Sequence, residues 1–381
     1  MRTKSILFTL LFVCFTTAFA TAQKYTITDL GSLAPTGINS LAQVVGNYDN
    51  QAYIWSFGRM NPLGLLPHGT FSTGAAINDL GAVTGTADGA GRIAESNVQC
   101  PTVTQPFVWT AKGGMQGLGT TDIAGYSFVF GSILCNVAFY GRSINANMHV
   151  VGDAPVGPDT YAYGLSWTSA NGMSLFGLSW PPTFANGISN TEEIVGQDSN
   201  LLDSSYLVGH AAAWQNGNET LLEDLGAGQP YYGASADGVN DRGAVVGWST
   251  TSPLQCCGTS SPTHAVLWTP VGVITDLGTL PGDTSSTALR INHSGQVIGS
   301  SGDTPYFGGS GSSPFVVTGR PFIWTQSSGM QDLNTLIHSN SGWVLNTASD
   351  INVWGQIVGN GTLNGQPHGY LLTPKNPFQQ R

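Results

Sequence analysis

The amino-acid sequence predicts an all-β fold: a seven-bladed β-propeller with four antiparallel strands per blade, the last blade closed by the N-terminal strand. Three observations predict it. One phrase recurs seven times, clearest in "INHSGQVIG" (291–299), "INDLGAVTG", "VNDRGAVVG" and "INVWGQIVG". Each copy lies in a unit of four short runs rich in β-branched and aromatic residues, bounded by Gly, Asn and Ser, which is the strand signature. The units are also shared unevenly between the chain ends. A lone fourth run, "YTITDLG" (25–31), comes first, and three runs without a fourth come last, ending in "HGYLLTP". A ring that borrows its first strand to complete its last blade leaves none of the unpaired edges of a linear stack.

Within each unit the runs are named A to D. Run A ends at a turn residue: Asn39, Asn78, Asn145, Ser189, Asn240, Asn292, Asn352. Run B ends seven positions later at a glycine: Gly46, Gly85, Gly152, Gly196, Gly247, Gly299, Gly359. This invariant spacing, with Asn-Asp-x-Gly between, predicts a tight hairpin closed by a left-handed residue. Run C ends at Trp in six units, and Leu372 takes that slot in the seventh. Indole rings at one repeated slot read as packing within or between blades, each burying up to ~250 Å². Run D ends in Leu-Gly or a relative, with Asp29, Asp224, Asp276 and Asp332 just before. A carboxylate kept by the repeat reads as scaffold bonding nearby backbone, because binding sites break repeat symmetry.

The first 22 residues read as a secretory signal peptide: Arg2 and Lys4, an apolar run from Ile6 to Phe19, then "AFATA". That run is shorter than the ~20 residues of a membrane span. The expected organisation is a signal peptide at 1–22, a single propeller at 23–374 and a short tail at 375–381. The expected location is secreted or extracellular, including periplasm or cell surface. Net charge is −10 with charged residues at 9%, and no Lys/Arg cluster follows the leader, which excludes nucleic acid as a partner. Four cysteines remain beyond the leader, and an even number in an exported chain suggests disulfides. Four cysteines allow three pairings. Cys100 with Cys135 is preferred, joining the B–C connection of blade 2 to the D–A connection that leaves it, worth ~3 kcal/mol by loop closure.

Spacing shows where variation is permitted. A–B is constant and C–D is always short. B–C ranges from 9 positions (Gly46 to Trp55) to 25 (Gly299 to Trp324), and D–A from 8 (Gly31 to Asn39) to 26 (Gly119 to Asn145). In an antiparallel four-stranded blade, B–C and D–A connections emerge on the same face, which is where binding loops are expected.

The repeat resembles the bacterial HAF family of extracellular repeats, which couples an Ile-Asn-x-x-Gly-x-Val-x-Gly segment to a His-Ala-Phe strand with Trp and then Met-x-Asp-Leu-Gly. The residues carrying the likeness are His210-Ala211, His264-Ala265, His368-Gly369, the methionines Met115, Met173 and Met330, and the segments "ITDLGTL" and "MQDLNTL". Pro106 and Pro321 are read as replacing the His in two units. The resemblance implies export and a propeller-like β fold, and it brings no catalytic residues.

No motif supplies a nucleophile, a metal site or a cofactor cradle: there is no His-Glu-x-x-His, no Gly-x-Ser-x-Gly and no calcium-loop ligand series. His68, His149, His293 and His338 read as scattered. Asymmetry points instead to Trp180, Tyr231 and Tyr232 in D–A insertions and to Tyr206, Tyr306, Phe307 and Asp303 in B–C insertions. Exposed aromatics among few charges suit a glycan or an extracellular protein partner, although any one of them can serve only to pack its own loop. The leading expectation is a non-enzymatic exported propeller that binds carbohydrate or protein on the long-loop face. The rival is a secreted polysaccharide-active hydrolase or lyase using Asp159, Asp283 and Asp303, and a structural surface or matrix protein is the third.

Overall fold

A computed structural model describes residues 24–92, 99–120, 138–156, 161–177, 182–203, 206–229, 232–253, 261–303 and 317–375. Its strands form seven antiparallel blades. Blade 1 shows the pattern: A Ala34–Ile38, B Val44–Tyr48, C Gln51–Ser56, D Arg59–Pro62, hydrogen-bonded in that order. In blade 7 the A strand is split into Trp343–Leu345 and Asp350–Ile351, both paired with B (Ile357–Leu363). The fourth strand of blade 7 is Tyr25–Asp29, which runs antiparallel to C (Gln366–Pro374) from Tyr25 opposite Pro374 to Asp29 opposite Tyr370. The ring is closed as the sequence predicts. The only helix among the described residues is one 3-10 turn, Leu333–Leu336, so no helix there is long and apolar enough to cross a membrane.

The core lies between blades. Val45, Ala52 and Ile54 of blade 1 pack against Ile77, Val83, Ala87 and Phe107 of blade 2, and similar clusters recur around the ring. The C-strand Trp residues belong to these clusters, Trp268 and Trp214 buried and Trp55, Trp109 and Trp324 half-buried. Each blade therefore leans on its neighbours, and closure spares the first and last blade an exposed apolar face.

The recurring phrase makes a hydrogen-bonded ring. In each A–B turn the Asn Oδ1 accepts two backbone N–H groups of its own turn, as Asn292 does from Ser294 and Gln296, both at 3.0 Å. Its Nδ2 donates to the backbone carbonyl of the turn residue in the next blade. Asn39 reaches Asn78 at 3.1 Å, Asn78 reaches Asn145 at 2.9 Å and Asn145 reaches Ser189 at 3.1 Å. Asn240 reaches Asn292, Asn292 reaches Asn352 and Asn352 reaches Asn39, each at 3.0 Å. Ser189 has no amide, so the link from blade 4 to blade 5 is missing from this series.

The glycine seven positions on has a separate cause. A Cβ there would lie 1.8–2.5 Å from a strand A carbonyl in every blade, for example 1.9 Å from Thr73 O at Gly85 and 1.8 Å from Phe184 O at Gly196. Strand A comes this close because it carries a β-bulge opposite the glycine. The register skips one residue at Thr36, Ala75, Arg142, Asn186, Asp237 and Leu289 in blades 1 to 6.

Two expectations need correction. Cys100 and Tyr206 were expected in loops, but both lie in strands. In blade 2, B (Val83–Arg92) and C (Gln99–Thr110) extend as a ribbon with Cys100 opposite Gly91. In blade 4, B (Ile194–Asp203) and C (Tyr206–Gln215) do the same, with Tyr206 opposite Asp203. Continuing the ladder satisfies the backbone groups of an excursion that leaves the sheet. Cys135, Cys256 and Cys257 lie outside the described residues. The ladder also corrects the His slot. His264 lies opposite Ser249, two residues past its glycine, and the equivalent residues are Arg320 opposite Ser301 and Gln105 opposite Ala87. Pro321 and Pro106 occupy the neighbouring Ala slot.

The ring makes two predictions, both checked by denaturant melts. Asn352→Ala leaves the Asn39 carbonyl and two turn N–H groups without their partner and lowers stability by about 3 kcal/mol. Ser189→Asn supplies the missing amide and raises stability by about 1 kcal/mol.

Candidate functional site

A β-bulge re-aims a side chain. The bulged residue stands three positions before the turn Asn, and around the ring that slot reads Thr36, Ala75, Arg142, Asn186, Asp237, Leu289 and Ser349. Seven blades carry seven residue types at the same place, whereas the Asn and Gly slots hardly vary. All but Asp237 line a cavity of about 450 Å³ in the central channel. Thr73, Asn47, Asn360 and Arg290 complete its polar wall. Thr73 precedes its turn Asn by five residues, so the cavity lies on the side of the Asn ring from which the long connections emerge.

Two arginines of this wall, Arg142 and Arg290, face it, while Asp237 is buried behind it and Asp350 lies outside its lining. Arg142 Nε donates to Asp153 Oδ1, leaving the outer nitrogens of the guanidinium uncommitted among the described residues. Arg290 Nη1 donates to the carbonyls of Asp237 (2.9 Å) and Leu289 (2.8 Å). Asp237 Oδ1 accepts from Asn186 Nδ2 at 3.1 Å and Ser235 Oγ at 3.2 Å, while its Oδ2 is buried without a hydrogen-bond partner among the described residues. Burial pushes Asp237 up to about 7, against the pull of Arg290, Ser235, Arg142 and Asn186. Asp350 is also pushed up by burial, although it accepts Ile38 N and Ile351 N, both at 2.9 Å.

The repeated carboxylates are scaffold. Asp29, Asp224, Asp276 and Asp332 each accept the N–H two residues on, at 2.7–2.9 Å. The repeated histidines brace two of them: His368 Nδ1 lies 2.8 Å from Asp29, and His264 Nδ1 lies 2.9 Å from Asp276. Arg320 reaches Asp332 from the same slot at 3.5 Å. Blade 2 has Gly117 where the Asp would be, and Gln105 Oε1 takes the equivalent Gly119 N–H at 2.8 Å.

Of the sequence-predicted site residues, Trp180, Tyr231, Tyr306 and Phe307 lie outside the described residues. Tyr206 opens strand C of blade 4. Tyr232 packs its ring on Gly226 of its own connection, where a Cβ would lie 2.4 Å from the ring. Asp303 accepts Thr284 N at 3.0 Å and Thr284 Oγ1 at 3.3 Å. Tyr232 and Asp303 thus hold down their own segments, in separate sectors. Of the acids proposed for an enzyme, Asp283 is paired with Arg320 at 2.9 Å, and Asp159 lies outside the described residues. The channel residues were missed, although the variability of the slot before the turn Asn was readable.

A second asymmetric cluster lies on the short-turn face, where blades 3 and 4 meet. His149 Nε2 is 2.7 Å from Ser166 Oγ, and His149 Nδ1 is 2.5 Å from Glu192 Oε2. Asn147 Nδ2 (2.7 Å) and Asn145 Nδ2 (2.9 Å) donate to Glu192 Oε1. Burial opposes ionisation of Glu192, but these hydrogen bonds and His149 outweigh it and hold the carboxyl below its usual range. His149 is therefore not the scattered residue the sequence suggested.

Neither protein-family models nor curated protein sequences match this chain. Solved structures do. An oligogalacturonate lyase in complex with manganese is similar over 92% of this chain and 91% of its own, at 12% identity and a TM-score of 0.50. Virginiamycin B lyase from Staphylococcus aureus is similar over 91% and 99%, at 12% identity and a TM-score of 0.49. The β-propeller domain of the trilobed protease from Pyrococcus furiosus is similar over 94% and 100%, at 9% identity and a TM-score of 0.48. At these identities the likeness is one of fold.

Asp237 makes the stability of the fold sensitive to pH. Its folded-state value lies above its ordinary 3.8, so the neutral form favours folding. That contribution is full below 3.8 and is lost as pH rises through about 7, at a cost on the order of 4 kcal/mol. Asp237→Asn keeps the site neutral. Thermal melts from pH 5 to 8 are expected to show the wild type losing stability more steeply than the variant.

Proposed function

We propose that the protein is an exported carbohydrate-binding propeller that holds its ligand in the channel cavity without converting it. The observation that carries this reading is the bulge slot. The scaffold is repeated to the level of single hydrogen bonds, yet the residue three positions before the turn is different in every blade, and six of the seven line the cavity. The resulting wall mixes amide, hydroxyl and guanidinium groups with the apolar Ala75, Leu289 and Ala348, and its volume is within the range of small-ligand sites. Such a wall matches a polyhydroxylated ring, which needs many donors and acceptors around a compact body. Carbohydrate is favoured over a protein partner because the recess is concave and sets hydrogen-bonding groups beside apolar surface, as a sugar ring with polar edges and apolar faces requires, whereas a protein partner is expected to anchor on exposed aromatics. Of the proposed aromatic anchors, Tyr232 is engaged with its own connection.

The test is an oligosaccharide array run beside reducing-end release assays on the same glycans. Binding without release is expected, and Ala75→Phe, which fills the cavity from a half-buried position, lowers affinity at least tenfold while leaving the melting curve in place. Release of product supports the hydrolase or lyase reading instead. Absence of binding to any glycan supports a structural role.

A further inference from the structure

We propose that Ser166 is an activated nucleophile, with His149 as its general base and Glu192 as the acid that orients the imidazole, forming a site that hydrolyses small carboxylic esters. This goes beyond carbohydrate binding in the channel and lies on the opposite face of the disc. The connectivity is that of a nucleophile, a base and an orienting carboxylate: Ser166 Oγ to His149 Nε2 at 2.7 Å, and His149 Nδ1 to Glu192 Oε2 at 2.5 Å.

Repeat symmetry shows how far this cluster departs from the scaffold. The residue before the C-strand Trp, or before Leu372 in blade 7, is Ile54, Val108, Ala213, Leu267, Ile323 or Leu371 elsewhere, and blade 3 alone has a hydroxyl there, Ser166. Four positions after the turn residue stand Gln43, Ala82, Glu193, Ala244, Gln296 and Gln356, and blade 3 alone has a histidine. Three positions after it, four blades have glycine and only blade 4 has an acid. Glu192 occupies that slot at φ 66°, a left-handed conformation that glycine adopts without strain. One of these contacts is scaffold: Gln43, Gln296 and Gln356 accept the Nδ2 of their own turn Asn, and Glu192 Oε1 does so for Asn145. The contacts from Glu192 Oε2 through His149 to Ser166 Oγ have no counterpart at those slots among the described residues of the other blades.

The chemistry follows from the contacts. Glu192 is held ionised by Asn145, Asn147 and His149, and so stabilises the imidazolium that forms when His149 takes a proton. The His149 side chain is 13% exposed and that of Glu192 is 40% exposed, so the relay borders solvent. Ser166 Oγ attacks the ester carbonyl carbon as its proton passes to His149 Nε2. The carbon–alkoxy bond breaks, and the alcohol leaves with that proton. Water, deprotonated by His149, then cleaves the acyl-serine, releasing the carboxylic acid and restoring the Ser166 hydroxyl.

The other blades supply substitutions the fold already accepts: Ser166→Ala as at Ala213, His149→Gln as at Gln43, and Glu192→Gly as at Gly243. The full chain is treated with a fluorophosphonate, and adducts are located by intact mass and peptide mapping. p-Nitrophenyl acetate turnover is followed in parallel. One adduct on Ser166, formed with loss of fluoride, is expected. Ser166→Ala abolishes it, His149→Gln slows it by 100-fold or more, and Glu192→Gly lowers ester kcat about tenfold at unchanged KM. Absence of an adduct on Ser166 in the wild type overturns the proposal. So does equal labelling of His149→Gln when melting shows that both are folded.

Discussion

The fold depends on one side-chain amide repeated around a ring. The turn Asn caps its own hairpin through Oδ1 and ties that hairpin to the next blade through Nδ2. No hydrophobic contact could do both, because burial has no direction whereas an amide has a donor edge and an acceptor edge. The last link, Asn352 to Asn39, spans residues 313 apart in sequence and seals the ring at its closing blade. At the opposite edge of that blade, the Tyr25–Asp29 pairing and the His368–Asp29 contact hold the first strand in place. The two devices act at different radii, one at the channel and one at the rim.

Symmetry in the scaffold is what makes asymmetry informative. The bulge brings strand A against the repeat glycine, the glycine accepts that approach, and the bulge turns six of the seven slot residues onto the cavity wall. Scaffold slots are conserved between blades or replaced by groups that do the same job, as Gln105 stands in for an aspartate lost at Gly117. Channel slots are under no such constraint. Arg142, Asn186, Asp237 and Leu289 follow one another in consecutive blades at one geometric position. The relay at Ser166, His149 and Glu192 departs from the repeat in the same way on the other face.

Much of the fold was legible from a few residues. Asn39 to Asn352 and Gly46 to Gly359 marked seven hairpins, and "YTITDLG" at one end of the chain matched the missing strand at the other. The structural role of Asp29, Asp224, Asp276 and Asp332 was readable from their repetition. The site was less legible. Composition and loop length directed attention to Trp180, Tyr232 and Asp303, but Tyr232 and Asp303 spend their contacts on their own segments, and Trp180 is among the residues outside the described structure. Arg142 and Asp237 looked like ordinary strand residues because a bulge leaves no trace in a hydrophobic pattern of period two.

The sequence by itself determined the number of blades, the strand order and the closure, because these follow from local periodicity and from pairing that must leave no edge open. Only the tertiary structure decided which side chains meet. Glu192 reaches His149 across 43 positions, and Asn186 reaches Asp237 across 51. Those distances are set by the angle between adjacent blades and by the bulge in each inner strand, and neither is a property of any short segment read alone.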